Sequence, residues 1–248
     1  MLGEAARDPA PVPSRASARE TWGCRLHSAP VDERDPAREA RRAREEAVAK
    51  LEYFYDFVSP FTYLANAQIP GIVSRTGCQL VARPFFLGGV MKATGNAPPV
   101  NVPAKGAYMF GDLGRWARRY GVTIQMPSVF PFNSLKAMRG AVVASREDRE
   151  RVYRNACFHA IWAEGIDVGS SEGLALIAER AGLDPAAFLA AIERQDVKDE
   201  LTANTNEAVE RGAFGAPTFF VDDAEMFWGN DRLDFVDEAL RSADSAGS

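Results

Sequence analysis

A serine hydroxyl at the junction of a strand-like and a helix-like segment is the first candidate for chemistry. Ser59 follows an aromatic run that ends at Phe57, and Pro60 takes the position where a helix begins. Backbone N–H groups and the helix dipole at such a start stabilise an anion, for example a thiolate. A thiol oxidoreductase would have cysteines in place of Ser59 and Thr62, so disulfide exchange, which requires sulfur, is excluded there. Taken alone, Ser59 is also explained as the N-cap of the helix.

A proline directly before a predicted strand marks a second candidate site. Residues 215–221 have the sequence Gly-Ala-Pro-Thr-Phe-Phe-Val, and a proline in this position suits a cis peptide bond. A cis bond between Ala216 and Pro217 would expose the backbone of Ala216 for pairing with an extended peptide ligand. The alternative is an ordinary loop proline with a trans bond.

A third candidate site precedes the last predicted helix. Residues 228–233 have the sequence Trp-Gly-Asn-Asp-Arg-Leu. Asn230 or Asp231 can cap the helix that follows. Alternatively, Asp231 supplies the charge that binds a ligand ammonium group, and the N–H groups of the helix start bind a carboxylate. Both interpretations stay open on the residues alone.

These candidate residues need a scaffold, which the hydrophobic pattern predicts. Apolar and aromatic runs indicate strands, and helical spacing with capping signals indicates helices. In chain order we predict a strand over 51–57, a helix from Pro60, a strand over 79–86, a long loop over 88–103, helices from 105 to 212, strands over 218–221 and 225–228, and a helix over 232–240. Without the helical block, the order is βαβ followed by ββα. The predicted fold class is therefore α/β, a thioredoxin-like fold with a large helical insertion.

Composition divides the chain into an extension and a domain. Residues 1–48 contain nine acidic residues and nine arginines, so the remainder carries the whole net charge of −5. Large apolar residues are sparse in this stretch, which therefore cannot offset the entropy cost of folding. We predict a disordered extension over 1–48, a thioredoxin-like domain over 49–242 with its helical insertion at about 88–212, and a flexible C-terminus over 243–248. An alternative is that translation starts near Val48.

Charge and hydropathy exclude several classes of function. The net charge of −5 argues against nucleic-acid binding, which normally requires a basic face. The sequence has no run of about 18 apolar residues, so no transmembrane helix is predicted. The three cysteines and two histidines show neither a disulfide framework nor metal-ligand spacing. This pattern predicts no metal site and a reducing compartment, the cytoplasm.

Four motifs in one order resemble a known family. They lie in residues 55–65, 95–105, 215–221 and 228–233. Together they resemble the 2-hydroxychromene-2-carboxylate isomerases, which are close to the kappa-class glutathione transferases. Both groups have a thioredoxin fold with a helical insertion, related to the disulfide oxidoreductase DsbA. The resemblance covers about 51–240 and implies that glutathione is the cofactor.

The resemblance implies roles for individual residues of this chain. Ser59 resembles the catalytic serine that lies beside the glutathione sulfur. Asn96 and Lys105 match the pair in the long loop that contacts glutathione. Ala216, before the expected cis-Pro217, resembles the residue whose backbone pairs with the cysteinyl unit of glutathione.

The last motif carries two more residues of the predicted site, and three residues outside the four motifs were also candidates for a role. Asn230 and Asp231 match the segment that holds the γ-glutamyl end, although kappa transferases often have serine at the position of Asn230. Phe130 and Phe132 either line an aromatic-substrate pocket or pack in the core. His159 lies in the middle of a predicted helix among apolar neighbours and is interpreted as a core histidine.

The resemblance implies a glutathione-dependent cis–trans isomerisation of a 2-hydroxychromene-2-carboxylate-type aromatic substrate, through thiolate addition and elimination. Two alternatives stay open: a kappa-type glutathione transferase or peroxidase, and a relative of the thiol–disulfide oxidoreductases that only binds glutathione. The expected partners are glutathione and a small aromatic substrate, with no nucleic acid and no membrane. A homodimer is compatible with the resemblance.

Overall fold

The structure, a computed structural model, describes residues 48–246. The extension predicted over 1–48 therefore lies outside the described residues, apart from its last position. Across residues 48–246, no helix has both the length and the apolar character that crossing a bilayer requires.

A four-stranded mixed sheet forms the centre of the domain, with its strands in the order β2-β1-β3-β4. The strands are β1 (Lys50–Tyr55), β2 (Gln79–Pro84), β3 (Thr218–Val221) and β4 (Glu225–Trp228). Strand β2 runs parallel to β1, whereas β3 is antiparallel to both of its neighbours. This order confirms the thioredoxin-like arrangement that the element pattern predicts, with β1 inside the sheet and the site of Ser59 at its carboxyl end.

The described residues contain nine α-helices, of which seven lie between β2 and β3. In chain order the α-helices are α1 (Pro60–Thr76), α2 (Leu87–Thr94), α3 (Pro103–Tyr120), α4 (Leu135–Arg146), α5 (Glu150–Trp162), α6 (Ser171–Arg180), α7 (Pro185–Ala191), α8 (Gln195–Glu210) and α9 (Leu233–Ala246). Two 3-10 turns span Pro99–Asn101 and Asn230–Arg232. Helix α1 connects β1 to β2, and α9 continues past the predicted domain end at 242.

The segment over 88–103, predicted to be a loop, is partly helical, because α2 and a 3-10 turn occupy it. Two of its three glycines, Gly88 and Gly89, lie in close contact with other side chains. A Cβ atom on Gly88 would lie 2.9 Å from the Phe86 ring, and one on Gly89 would lie 3.2 Å from Thr205 Cγ2. Thr205 Oγ1 on α8 also accepts a hydrogen bond from the backbone N–H of Phe86 at 3.0 Å. The loop prediction was wrong because glycines that allow close packing resemble turn glycines in the sequence.

A buried arginine joins the helical insertion to the sheet. Arg154 on α5 is 3% exposed, and its Nε donates a hydrogen bond to Glu150 Oε1 at 2.7 Å. Its Nη1 donates to Asn66 Oδ1 on α1, and the Tyr55 hydroxyl on β1 donates to Glu150 at 2.8 Å. These hydrogen bonds satisfy a charge that would be costly to bury alone. They also hold α1, whose N-terminus carries Ser59, against β1 and α5.

Helix α4 packs closely against α5 and α7 at Gly140, and a substitution there should change stability. A Cβ atom on Gly140 would lie 2.3 Å from Tyr153 Oη and 2.5 Å from Phe188 Cζ. We expect Gly140→Ala to lower the free energy of unfolding by about 1–3 kcal/mol, as overpacking of a core does. Each kcal/mol corresponds to about 2–4 °C in a chain of this size, so calorimetry should show a lower Tm.

Gly114→Ala on α3 is the control for this substitution. A Cβ atom on Gly114 would meet the flexible tip of Arg118 at 3.6 Å, which is ordinary contact. Alanine stabilises a helix by roughly 0.5–1 kcal/mol relative to glycine, so the Tm of Gly114→Ala should stay the same or rise. An unchanged Tm for Gly140→Ala would contradict the packing argument.

Candidate active site

Ser59 lies at the N-terminus of α1, where the chain leaves β1. Its side chain accepts a hydrogen bond from the backbone N–H of Thr62 at 3.2 Å, which confirms the predicted N-cap. The same hydroxyl donates a hydrogen bond to the carbonyl oxygen of Ala216 at 3.1 Å. Ser59 is only 6% exposed. The fold therefore brings the first and second predicted sites into direct contact.

The segment before β3 joins the second site to the third. The peptide bond between Ala216 and Pro217 is cis, as predicted. The backbone N–H of Gly229 donates to the Pro217 carbonyl at 3.0 Å. A Cβ atom on Gly215 would lie 2.4 Å from Trp228 Nε1, so only glycine permits this approach. Three of the four motifs thus meet at the carboxyl end of β1.

A cleft of about 790 Å³ opens at this meeting point. Its volume is in the range of small-molecule sites, roughly 300–1,000 Å³. Six of the seven residues predicted for the glutathione site line it: Ser59, Asn96, Lys105, Ala216, Asn230 and Asp231. The seventh, Pro217, follows Ala216 in the chain and is not among the lining residues.

The fourth motif also lines the cleft, through Asn96 and Lys105. Asn96 Nδ2 donates to the Phe214 carbonyl at 2.8 Å, and Asn96 Oδ1 accepts from the backbone N–H of Ala97 at 2.8 Å. Both ends of this amide therefore have partners in the protein, and Asn96 ties the segment after α2 to the loop before β3. Lys105, in the first turn of α3, is exposed and places a positive charge at the cleft rim.

The third predicted site combines a buried amide with an exposed carboxylate. Asn230 is 3% exposed, and its Nδ2 has no hydrogen-bond partner among the described residues. Its backbone carbonyl accepts from the Tyr120 hydroxyl at 3.0 Å, while the Asp231 carboxylate pairs with Arg232 Nη1 at 2.7 Å. The N-cap of the 3-10 turn here is Gly229, rather than Asn230 or Asp231. Neither side chain makes a capping hydrogen bond to this turn, and both residues line the cleft.

Sequence reasoning missed Asp56, although it lies in the first motif. Its carboxyl group is fully buried: Oδ1 accepts from the Val58 N–H at 3.0 Å, and Oδ2 accepts from the Leu87 N–H at 2.8 Å. Burial raises the pKa of Asp56 to about 6, against the opposing effect of hydrogen bonds from Val58, Ser134 and Leu87. The signal in the sequence is an acidic residue within an otherwise apolar and aromatic run.

The remaining wall of the cleft is apolar and aromatic. Phe130 and Phe132 line it, and both also pack against the buried Trp162, with ring centroids 5.9 and 6.2 Å apart. Pocket lining and core packing, predicted as alternatives, therefore both apply. Met109 and Trp116 of α3 add to the same wall. Such a surface suits an aromatic ligand.

Other reactive side chains lie away from the cleft. The prediction that His159 is a core histidine was wrong. Its side chain is 63% exposed on α5, and its Nδ1 lies 2.8 Å from Glu164 Oε1. Apolar neighbours along a helix do not show which face the histidine occupies. Cys78 and Cys157 are buried, and neither lines the cleft. Within residues 48–246, no group of three or more His, Cys, Asp or Glu residues could hold a metal ion.

The sequence is similar to enzymes of two named groups. The 2-hydroxychromene-2-carboxylate isomerase of Sphingobium xenophagum is 37% identical over 192 residues, which is 77% of this chain and 97% of that protein. The isomerase of the same name from Pseudomonas putida is 35% identical over 194 residues, with 77% and 93% covered. Glutathione S-transferase kappa 1 of Rattus norvegicus is 31% identical over 199 residues, with 75% and 88% covered.

Comparison with solved structures and with a family model points to the same family as these relatives. A solved 2-hydroxychromene-2-carboxylate isomerase matches with a TM-score of 0.71 at 33% identity, covering 77% of this chain and 94% of that chain. A probable DsbA oxidoreductase from Streptomyces coelicolor shares the fold, with a TM-score of 0.62 at 21% identity over 79% and 89% of the chains. The family model of the DSBA-like thioredoxin domain matches residues 50–241. The chain therefore belongs to the 2-hydroxychromene-2-carboxylate isomerase family, within the DSBA-like thioredoxin domains.

Proposed function

We propose that the protein is a glutathione-dependent isomerase. Its substrate is a 2-hydroxychromene-2-carboxylate, which it interconverts with the open-chain trans benzylidenepyruvate. The observation that carries this proposal is the position of Ser59, a hydroxyl at a helix N-terminus inside the cleft and in contact with Ala216. The names of the relatives in two bacterial genera support the same substrate class.

The residues of the cleft fit the groups of glutathione. The tripeptide carries an ammonium group, two carboxylates and a thiol. Asp231 offers a carboxylate for the ammonium group, and Asn230 lines the cleft beside Asp231. Lys105 provides a positive charge for a carboxylate, and Asn96 also lines the cleft. In this proposal the backbone of Ala216 pairs with the cysteinyl unit, next to Ser59, whose hydroxyl contacts the Ala216 carbonyl.

Ser59 acts in this proposal as a hydrogen-bond donor to sulfur. Its hydroxyl turns from the Ala216 carbonyl towards the bound thiol, and the N-terminus of α1 adds the positive end of a helix dipole. Both effects favour the charged form and lower the pKa of the thiol. When bound, glutathione supplies a thiolate that adds to the conjugated carbon, allows rotation about the resulting single bond, and leaves.

Two other features bear on the alternatives. Similarity to the rat kappa transferase, at 31% identity, favours a transferase or peroxidase as the second candidate. Disulfide exchange is disfavoured because positions 59 and 62 both carry hydroxyl groups. The cytoplasmic location and the homodimer stay predictions.

The test is an absorbance assay with a hydroxychromene carboxylate. We expect a protein-dependent change with glutathione and none with S-methylglutathione, which has the same charges but no free thiol. An aryl halide and a hydroperoxide are assayed in parallel. Turnover of either, without conversion of the chromene, would replace the isomerase with the transferase or peroxidase. Glutathione binding without any turnover would indicate a relative that only binds the tripeptide.

A further inference from the structure

Tyr120, the last residue of α3, is tied to the turn that carries Asp231. Its hydroxyl donates a hydrogen bond to the backbone carbonyl of Asn230 at 3.0 Å. Tyr120 is half-buried and does not itself line the cleft. Burial raises the pKa of Tyr120, so the hydroxyl keeps its proton at neutral pH and stays a donor. This hydrogen bond joins two segments that are 110 positions apart in the chain.

One face of α3 lines the cleft. Four residues at spacings of four, three and four share that face: Lys105, Met109, Asp112 and Trp116. Tyr120 follows four residues after Trp116, and the two ring centroids lie 5.2 Å apart. At 1.5 Å per residue, Lys105 and Tyr120 are about 22 Å apart along the helix. Helix α3 therefore holds Lys105 at a fixed distance from the residue that binds the Asp231 turn.

Hydrogen bonds hold the turn from Gly229 to Asp231 on two sides. The Gly229 N–H donates to the carbonyl of Pro217 at 3.0 Å, which ties the turn to the start of β3. The Asn230 carbonyl accepts from the Tyr120 hydroxyl, which ties the same turn to α3. The first contact therefore fixes the turn relative to the sheet, and the second fixes it relative to the helix that lines the cleft.

The Asn230 carbonyl belongs to the peptide group that leads into Asp231. Because a peptide group is planar, holding its oxygen also fixes the direction in which the chain enters Asp231. The Asp231 carboxylate lies close to Gly229, where a Cβ atom would be 2.5 Å from Asp231 Oδ1. The Asp231 side chain is 43% exposed and pairs with its neighbour Arg232. Because much of this side chain is exposed, the orientation of its backbone contributes strongly to where the charge lies.

We propose that Tyr120 is a positioning residue of the glutathione site: it orients the Asn230–Asp231 peptide so that the Asp231 carboxylate meets the γ-glutamyl ammonium group. This inference rests on the proposed function, because it takes glutathione as the ligand. Tyr120 does not touch the ligand and acts through Asp231. Its helix also carries Lys105, the positive charge for a carboxylate of the tripeptide. One helix thus sets the distance between the two charged side chains that bind glutathione.

A deaminated ligand separates this role from a general structural one. Glutaryl-cysteinylglycine has the thiol and both carboxylates of glutathione but no ammonium group. In calorimetric titrations, Tyr120→Phe should weaken glutathione binding by about 3- to 10-fold, within the range of one net hydrogen bond. Its affinity for glutaryl-cysteinylglycine should stay within about twofold of the wild-type value. In the Asp231→Asn background, Tyr120→Phe should cause no further loss, because the charge that Tyr120 positions is gone.

Tyr63→Phe is the matched control. The Tyr63 hydroxyl donates to the backbone carbonyl of Thr123 at 2.8 Å, and Tyr63 does not line the cleft. The same substitution there removes the same kind of hydrogen bond without touching the Asp231 turn. Both variants keep the aromatic ring and should fold, with a similar small decrease in Tm. Only Tyr120→Phe should lose affinity for glutathione and keep its affinity for the deaminated ligand.

The outcomes for the two proposals differ. If Tyr120→Phe loses equal affinity for both ligands, or none for glutathione, the role of Tyr120 is wrong and the proposed function is unaffected. The same conclusion follows if the losses from Tyr120→Phe and Asp231→Asn add in the double variant. If the wild type binds both ligands equally, the ammonium contact does not exist and the role of Tyr120 is again wrong. If the titrations give the expected pattern and the hydroxychromene is not converted, the role of Tyr120 stands and the proposed isomerase function is wrong.

Discussion

Ser59→Ala is expected to lose turnover of the hydroxychromene with glutathione by about 10- to 1,000-fold, the cost of removing one preorganised donor to an anion. The hydroxyl is the side-chain donor at the N-terminus of α1 and lies against Ala216 in the cleft. Because the N-terminus of α1 and the remaining cleft residues are unchanged, glutathione should still bind. Steady-state kinetics and calorimetric titration of the same variant separate the chemical step from binding.

Ser59 also caps α1, so loss of the cap must be distinguished from loss of chemistry. Substituting a capping serine by alanine costs about 1 kcal/mol of stability. Ser170→Ala removes a comparable cap, which accepts from Gly173 N–H at 3.0 Å, at a site outside the cleft. Both variants should have a slightly lower Tm, and only Ser59→Ala should lose turnover. Wild-type turnover in Ser59→Ala would refute the role of the serine as a donor to sulfur.

Asp231→Asn is expected to weaken glutathione binding by roughly 10- to 150-fold, while the chemical step changes much less. The reason is loss of a charge-assisted hydrogen bond to the γ-glutamyl ammonium group, which contributes about 1.5–3 kcal/mol. In the structure, the Asp231 carboxylate lines the cleft and pairs with Arg232. Asparagine keeps the size and one acceptor oxygen but removes the charge. Calorimetric titration with glutathione measures the affinity.

Asp234→Asn is the matched control for this charge. Asp234 lies in the first turn of α9, three positions further along the chain, and does not line the cleft. The Asp234→Asn substitution removes one negative charge from the same region, so a general electrostatic effect would appear in both Asp231→Asn and Asp234→Asn. An affinity of Asp231→Asn within about twofold of the wild type would exclude the ammonium contact.

The local elements of the fold were predictable because their signals are local. The strands at 218–221 and 225–228 follow alternating and aromatic runs and have the predicted bounds. Ser170 and Asp184 cap their helices through their side chains, as the residues before α6 and α7 suggest. A glycine in the sequence, by contrast, is compatible with either a turn or a closely packed helix. The segment over 88–103 was predicted as a loop because its glycines could equally serve turns or close packing.

By itself, the sequence determined the order of the elements, the thioredoxin-like class and the motifs that carry the candidate glutathione site. Ser59 at a strand-to-helix junction and the proline before β3 follow from residue type and neighbours alone. These features depend on capping, backbone geometry and periodicity, which act over a few residues. Contact between the motifs does not follow from such local features, because Ser59 and Ala216 are 157 positions apart.

Only the tertiary structure decided which side chains share the cleft and which charged side chains are buried. It joined Asp56 to the N–H of Leu87 at 2.8 Å and put His159 on the outer face of α5. The physical reason is that these properties depend on how distant segments pack. Packing sets burial, and burial raises the pKa of Asp56 to about 6.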